Sequence, residues 1–167
     1  MKKGTGMNLR SITLALTLGF IASAYAGPGA FLTLQDAGDA DSGYGVGLMY
    51  DFALSPQASI DARVSYQTGY KVEGWWEEDL AVIPIEANFN WKIPLYGWTP
   101  YFGAGVGYYY FDPDWIEAEI GYNLHAGVLM DTGRGVSLFG EVKHLVLEPE
   151  GADFGGFGLT AGIAWGF

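Results

Sequence analysis

Large apolar residues recur at every second position along most of this chain, the mark of strands with one apolar face. Eight such segments are separated by turn chemistry. They run over roughly Gly29–Gln35, Gly43–Ala53, Ala58–Lys71, Leu80–Ile93, Thr99–Phe111, Ile120–Met130, Val136–Leu147 and Gly156–Phe167. Sorting each by parity gives two unlike faces. In the fourth, Ala81, Ile83, Ile85, Ala87, Phe89, Trp91 and Ile93 oppose Val82, Pro84, Glu86, Asn88, Asn90 and Lys92. In the third, Ile60, Ala62, Val64 and Tyr66 oppose Ser59, Asp61, Arg63, Ser65 and Gln67. In the sixth, Tyr122, Leu124, Ala126, Val128 and Met130 oppose Gly121, Asn123, His125 and Gly127. Seven charged residues, Asp51, Asp61, Arg63, Glu86, Lys92, Glu141 and Lys143, all fall on the polar or small face, and His144 is the ionisable residue on an apolar one.

The connections alternate in kind. Leu54–Gln57, Pro94–Gly97 and Asp131–Gly135 read as tight turns, whereas Asp36–Ser42, Val72–Asp79, Asp112–Glu119 and Glu148–Gly155 read as longer, acidic loops. Short turns on one side and long loops on the other predict an all-β fold, an eight-stranded antiparallel up-and-down transmembrane β-barrel. A soluble barrel would place the apolar face inside. Size argues for the reverse, because a narrow eight-stranded barrel has room only for a filled core. The face carrying Gly103, Gly105 and Gly107 would fit inside, and the Tyr, Phe, Trp and Leu face would meet lipid. A closed barrel also leaves no backbone group unpaired in hydrocarbon. The aromatics gather near strand ends, as an interfacial girdle requires: Tyr66, Tyr70, Tyr108, Tyr110 and Tyr122 toward the long loops, and Phe52, Trp91, Trp165 and Phe167 toward the tight turns.

The first residues lie outside this pattern. Lys2, Lys3 and Arg10 precede an apolar run from Ile12 to Ile21, and Ala24-Tyr25-Ala26 follows as a small-x-small cleavage site. The run is too short for a membrane-spanning helix, which needs about 20 residues. Residues 1–26 therefore read as a signal peptide and residues 27–167 as the barrel domain, destined for the cell outer membrane of a Gram-negative-type bacterium. Composition agrees: 26 glycines, 16% aromatic and only 16% charged residues. The chain has no cysteine, which excludes disulfide staples and thiol chemistry.

Two stretches and the last residues resemble a known group. "PYFGAGVGYYYF" (Pro100 to Phe111) and "GYNLHAGVLMDTGRGVSLFGEVKH" (Gly121 to His144) look like strands five to seven of the OmpA/OmpX-like outer-membrane β-barrel superfamily. The ending "GFGLTAGIAWGF", with Trp165 and the terminal Phe167, resembles the assembly signal read by the barrel-insertion machinery of that group. The resemblance implies fold and location more than activity, since the superfamily holds structural tethers, adhesion and resistance proteins and a few lipid-A-modifying enzymes.

The polar face concentrates the chemistry. Asp51, Asp61, Glu86 and Glu141 stand with Arg63, Lys92, Lys143 and His125, and Asn88, Asn90 and Asn123 add amides. Such a set could serve as a proton or ion path or as an acid–base site, but buried charges must be paired, so a structural ion-pair network is the preferred expectation. A lipid A deacylase of this barrel class would carry an outward His beside a Ser and a carboxylate. Here no outward Ser lies on strands six to eight, and the residue two beyond His125 is Gly127. "GAGVG" (Gly103 to Gly107) lies within a strand with no helix after it, so it is no nucleotide loop. No catalytic, cofactor or metal-ligand set emerges, and an acidic chain of net charge −11 is a poor partner for nucleic acid.

The expectation is a monomeric, non-enzymatic integral outer-membrane protein of structural or surface-interaction type. An outer-membrane lipid-modifying enzyme or a small-solute channel is the alternative. Its partners would be outer-membrane lipid, lipopolysaccharide and the barrel-assembly machinery. The long loops hold Asp36, Asp39, Asp41, Glu73, Glu77, Glu78, Asp79, Asp112, Asp114, Glu117, Glu119, Glu148, Glu150 and Asp153, among which Trp75, Trp76 and Trp115 are interspersed. Oxygen ligands at that rim could hold a divalent cation weakly, although a solvated charged rim is the simpler expectation.

Overall fold

The computed structural model describes residues 27–38, 40–71, 80–112, 117–148 and 154–166. These form eight strands: β1 (Gly27–Ala37), β2 (Ala40–Ala53), β3 (Ala58–Tyr70), β4 (Leu80–Lys92), β5 (Trp98–Asp112), β6 (Glu119–Asp131), β7 (Val136–Val146) and β8 (Gly156–Trp165). Each pairs antiparallel with its sequence neighbours, and β1 pairs with β8 to close the barrel. Closure removes the free edges that an open sheet would expose. Residues 1–26, expected from the sequence to be a signal peptide, and Phe167 lie outside the described residues.

Alternation decides the faces. Along β3, Asp61, Arg63, Ser65 and Gln67 are buried while Ile60, Ala62, Val64 and Tyr66 are exposed, and β4, β6, β7 and β8 show the same rhythm. The outward surface is apolar, with Leu32, Leu48 and Leu124 each near two-thirds exposed. The expectation that the small and polar face turns inward is met, but that face is not only small and polar. Phe31, Tyr101, Tyr109, Phe111 and Phe139 also point in and are buried. Phe31, Tyr101, Tyr109 and Phe139 fit because glycines opposite or beside them leave the volume. A Cβ on Gly47 would strike the Phe31 ring, one on Gly162 the Phe139 ring, one on Gly127 the Tyr101 ring, and one on Gly107 or Gly121 the Tyr109 ring.

Two local features differ from the pattern read in the sequence. Tyr70 shares parity with outward Tyr66, yet it is buried. The β3–β4 register shifts between Gln67 and Tyr70, and Gly69 sits in this stretch at φ 92°, a conformation costly for any residue with a Cβ. An irregularity there moves Tyr70 from the outer to the inner face. The second difference is the first of the expected long loops. After a register shift beyond Gln35, strands β1 and β2 pair again at Ala37 opposite Ala40, with Gly38 at φ 44°, so Asp36 and Asp41 belong to strands rather than to a loop.

The tight turns at the other end are tied by local hydrogen bonds. Ser55 Oγ accepts from the Gln57 and Ala58 amides at 3.2 and 3.0 Å. In the last turn Asp131 Oδ1 accepts from the Gly133 amide at 2.7 Å, and Thr132 Oγ1 donates to the Val136 carbonyl at 2.6 Å. These turns hold β3, β5 and β7 in register with their predecessors, which sets the level at which each inward side chain sits.

Candidate functional site

The inward side chains form two apolar clusters and a charged network. At the loop end, Tyr70, Leu80, Val82, Tyr109, Phe111, Leu145, Leu147 and Phe154 form an apolar cluster with Ala37. Phe154 reaches it from the segment before β8, where its amide donates to the Leu147 carbonyl at 2.9 Å. Its ring meets Phe111 and Tyr70 edge-on, at 5.6 and 6.4 Å between centroids. On the opposite side Phe31, Phe139 and Ala164 cluster with Met49 and Leu129.

A charged network adjoins both, with Arg63 6.0 Å from the centroid of the Phe31 ring. Arg63, projecting from β3, is its hub. Its guanidinium donates to both oxygens of Asp61 (2.8 and 2.9 Å) and both of Glu141 (2.6 and 2.9 Å). Tyr101 also donates its hydroxyl to Glu141, at 2.9 Å. Toward the loops, Glu86 accepts from Lys143 at 2.9 Å and from Tyr109 at 2.7 Å. Toward the turns, Lys92 pairs with Asp51 at 2.7 Å. The Arg63, Lys143 and carboxylate side chains are almost wholly withdrawn from solvent, so their charge-assisted bonds replace hydration rather than add to it.

The amides complete a ring. Asn88 and Asn90 on β4 each donate to Asp61 at 2.8 Å, Asn123 donates to Asn88 at 2.9 Å, and the two nitrogens of His125 contact Asn123 Oδ1 (2.9 Å) and Asn90 Oδ1 (2.7 Å). Asn88 and Asn123, like Asn90 and His125, lie on strands separated by β5, and reach each other across Gly105 and Gly103. The glycine run that resembles a nucleotide loop is thus a pair of windows through a strand.

All eight residues singled out in the sequence for the interior face inward and are brought into these contacts. Sequence reasoning passed over Tyr101 and Tyr109 as ligands of the carboxylates. Both lie on the parity row of Gly103, Gly105 and Gly107, so the signal was present. His144 faces out, stacks on Phe157 at 4.7 Å and contacts the Gly156 carbonyl at 3.2 Å. Trp165 ends β8 on the outward face. Of the rim acids, Asp39, Glu73, Glu77, Glu78, Asp79, Asp114, Glu150 and Asp153 lie outside the described residues, as do Trp75, Trp76 and Trp115. Among the described residues, no three His, Asp or Glu side chains gather as a metal site.

A cavity of ≈ 20 Å³ lies beside Arg63, Lys92 and Tyr101, room for about one water. Among the described residues, the arrangement can lock strands together and exclude solvent from the paired charges.

These features define a closed, filled, eight-stranded antiparallel barrel with an apolar outside. Solved structures with this fold include small outer-membrane barrels. OprG of Pseudomonas aeruginosa matches with a TM-score of 0.66 at 13% identity, over 85% of this chain and 94% of that one. Neisserial surface protein A (NspA) gives 0.64 at 14% identity, over 85% and 96%. Ail, the attachment invasion locus protein of Yersinia pestis, gives 0.51 at 14% identity, over 84% and 95%. No family model matches the chain, and no curated protein matches it in sequence. At these identities the likeness establishes the fold, that of the small eight-stranded outer-membrane barrels.

Proposed function

We propose that this protein is an integral outer-membrane barrel of structural or surface-interaction type, monomeric and without enzymatic activity. The observation that carries this reading is the pairing of an apolar exterior with an interior plugged by ion pairs and aromatic rings. An apolar outer wall has a favourable neighbour in lipid and a poor one in water. The strands, 10 to 15 residues long, are sufficient to cross a hydrocarbon layer when tilted. The plug argues against a solute channel, because the described inward side chains bond to one another across the barrel.

The outward wall would then contact membrane lipid, with lipopolysaccharide at the loop end, and β8 with its Trp165 would present the strand read by the assembly machinery. The test has two arms. Fractionation should recover the protein with outer membranes, extractable by detergent, and its expression should leave the acylation of radiolabelled lipid A unchanged. Recovery as a soluble periplasmic monomer would sink the membrane reading. Altered acylation that depends on the protein would replace the structural role with a lipid-modifying one.

A further inference from the structure

We propose that His125 is held as a doubly protonated imidazolium in the folded barrel, and that this proton makes the interior a pH-sensitive element. The geometry forces the assignment from Asp61 outward. Asp61 is gripped at both oxygens by Arg63, an arrangement that requires the ionised carboxylate. An ionised carboxylate can only accept hydrogen bonds. Asn88 and Asn90 must therefore turn their NH₂ groups to Asp61 and their oxygens away from it. The Asn90 oxygen then faces His125 Nε2. The Asn88 oxygen takes the NH₂ of Asn123, which turns the Asn123 oxygen to His125 Nδ1.

Both ring nitrogens thus meet only acceptors. A neutral imidazole has one N–H and one lone pair, so it would set a lone pair against an amide oxygen on one side. Amide orientation is ordinarily assigned from the surrounding bonds, and here the carboxylate at the head of both branches settles it. Flipping an amide does not help, because the mismatch only moves along the branch until two acceptors face each other at Asp61. With Asp61 ionised, the imidazolium alone satisfies every member of the ring.

Charge counting points the same way independently. Among the described residues the interior holds four carboxylates, Asp51, Asp61, Glu86 and Glu141, against three permanent cations, Arg63, Lys92 and Lys143. A protonated His125 is the fourth cation. The groups facing it are Asn88 and Asn90 from β4, Tyr101 and Gly103 from β5, Asn123 on its own strand, Lys143 and Glu141 from β7, and Asp61 and Arg63 from β3. Arg63 and Lys143 are themselves bonded to carboxylates. Loss of the proton would leave the interior with an unmatched negative charge and open the ring at Asn90 or Asn123. Stability contributed by a proton bound in the folded state is present at lower pH and lost as pH rises.

The experiment reads the proton directly. Protein labelled with ¹⁵N-histidine, carrying His144→Gln so that one imidazole remains, is purified in detergent and studied by NMR near pH 7.5, about one unit above the ordinary imidazole value of about 6.5. Two protonated ring nitrogens in the folded protein, and the mixed neutral tautomers once it is unfolded in urea, are expected. One bare nitrogen in the folded protein would overturn the proposal. In the same background, the urea midpoint should fall between about pH 6 and about pH 9, and His125→Gln should flatten that fall. An equal fall in both would also overturn it. Should His125→Gln not fold, the NMR arm decides alone.

Discussion

Replacing Arg63 with Met tests whether the plug is held by charge. The guanidinium makes four bonds to two carboxylates, and its side chain is 4% exposed against 1% for Asp61 and 0% for Glu141. Removing one member of a buried pair costs about 3–5 kcal/mol, because the partner's charge stays behind without compensation. Asp61 would keep Asn88 and Asn90, and Glu141 would keep Tyr101, which softens the loss at each. The expected cost of Arg63→Met is therefore about 3–5 kcal/mol rather than twice that. Adding Glu141→Gln removes one negative charge with the positive one, and Tyr101 can still donate to the carbonyl of the new side-chain amide. The double variant should recover at least about 1 kcal/mol of the loss. Reversible urea unfolding in lipid vesicles, followed by tryptophan fluorescence, gives both numbers. A loss under about 1 kcal/mol for the single variant, or a double variant no more stable than the single, would refute a charge-held plug.

Three further outcomes follow from the facing and the filling. Val64→Arg or Leu124→Arg, on the outward face, should cost about 2–4 kcal/mol in the same unfolding assay, whereas inward Ser65→Ala should cost about 0.5–1.5, the hydrogen bond from Gln67; equal costs would invert the faces. Gly47→Ala should cost about 1–3 kcal/mol by driving a methyl into the Phe31 ring, and Phe31→Leu in the same chain should restore part of it. Purified monomer in planar bilayers should give no stable porin-like conductance, and a large steady pore would contradict the packed interior.

The barrel was legible because its determinant is local. Alternation along β3, β4 and β6 is visible residue by residue, and the faces it assigns are those observed. The exceptions occur where a non-local or single-residue effect wins. Tyr70 left its parity row because of the irregularity around Gly69, which alternation alone does not reveal. Asp36 and Asp41 read as loop because acidic residues cluster there, yet β1 and β2 pair again beyond them, Ala37 with Ala40, after a register shift. The inward aromatics were hidden by a size argument taken one step too far: the interior excludes many rings, but glycines opposite or beside Phe31, Tyr101, Tyr109 and Phe139 make room for these. Phe139 shares its row with Glu141 and Lys143, and Phe31 lies two positions from buried Thr33, so parity already assigned them.

The interior set was legible as a list and not as a circuit, and β5 shows why. Whether Asn88 can reach Asn123 depends on register across two strand pairs and on what the strand between them carries. Gly105 lies opposite both, and a Cβ there would fall on Asn88 Oδ1 and within 2.7 Å of Asn123 Nδ2, in the path of the hydrogen bond that joins them. Gly105→Ala should therefore do more than overfill the barrel. It should part the two amides and leave a buried donor and a buried acceptor unmatched, each costing about 1–3 kcal/mol. Gly140 is the control, since nothing lies within 4 Å of a Cβ at that position. Gly140→Ala should be nearly silent in urea unfolding. Gly105→Ala should lower stability by several kcal/mol, roughly the sum of the two unmatched groups. In ¹⁵N spectra it should also shift the side-chain amide resonances of Asn88 and Asn123. Equal stability for the two variants, with those resonances unmoved, would mean that the amide branches do not run through the Gly105 window and that the ring is held together by some other contact.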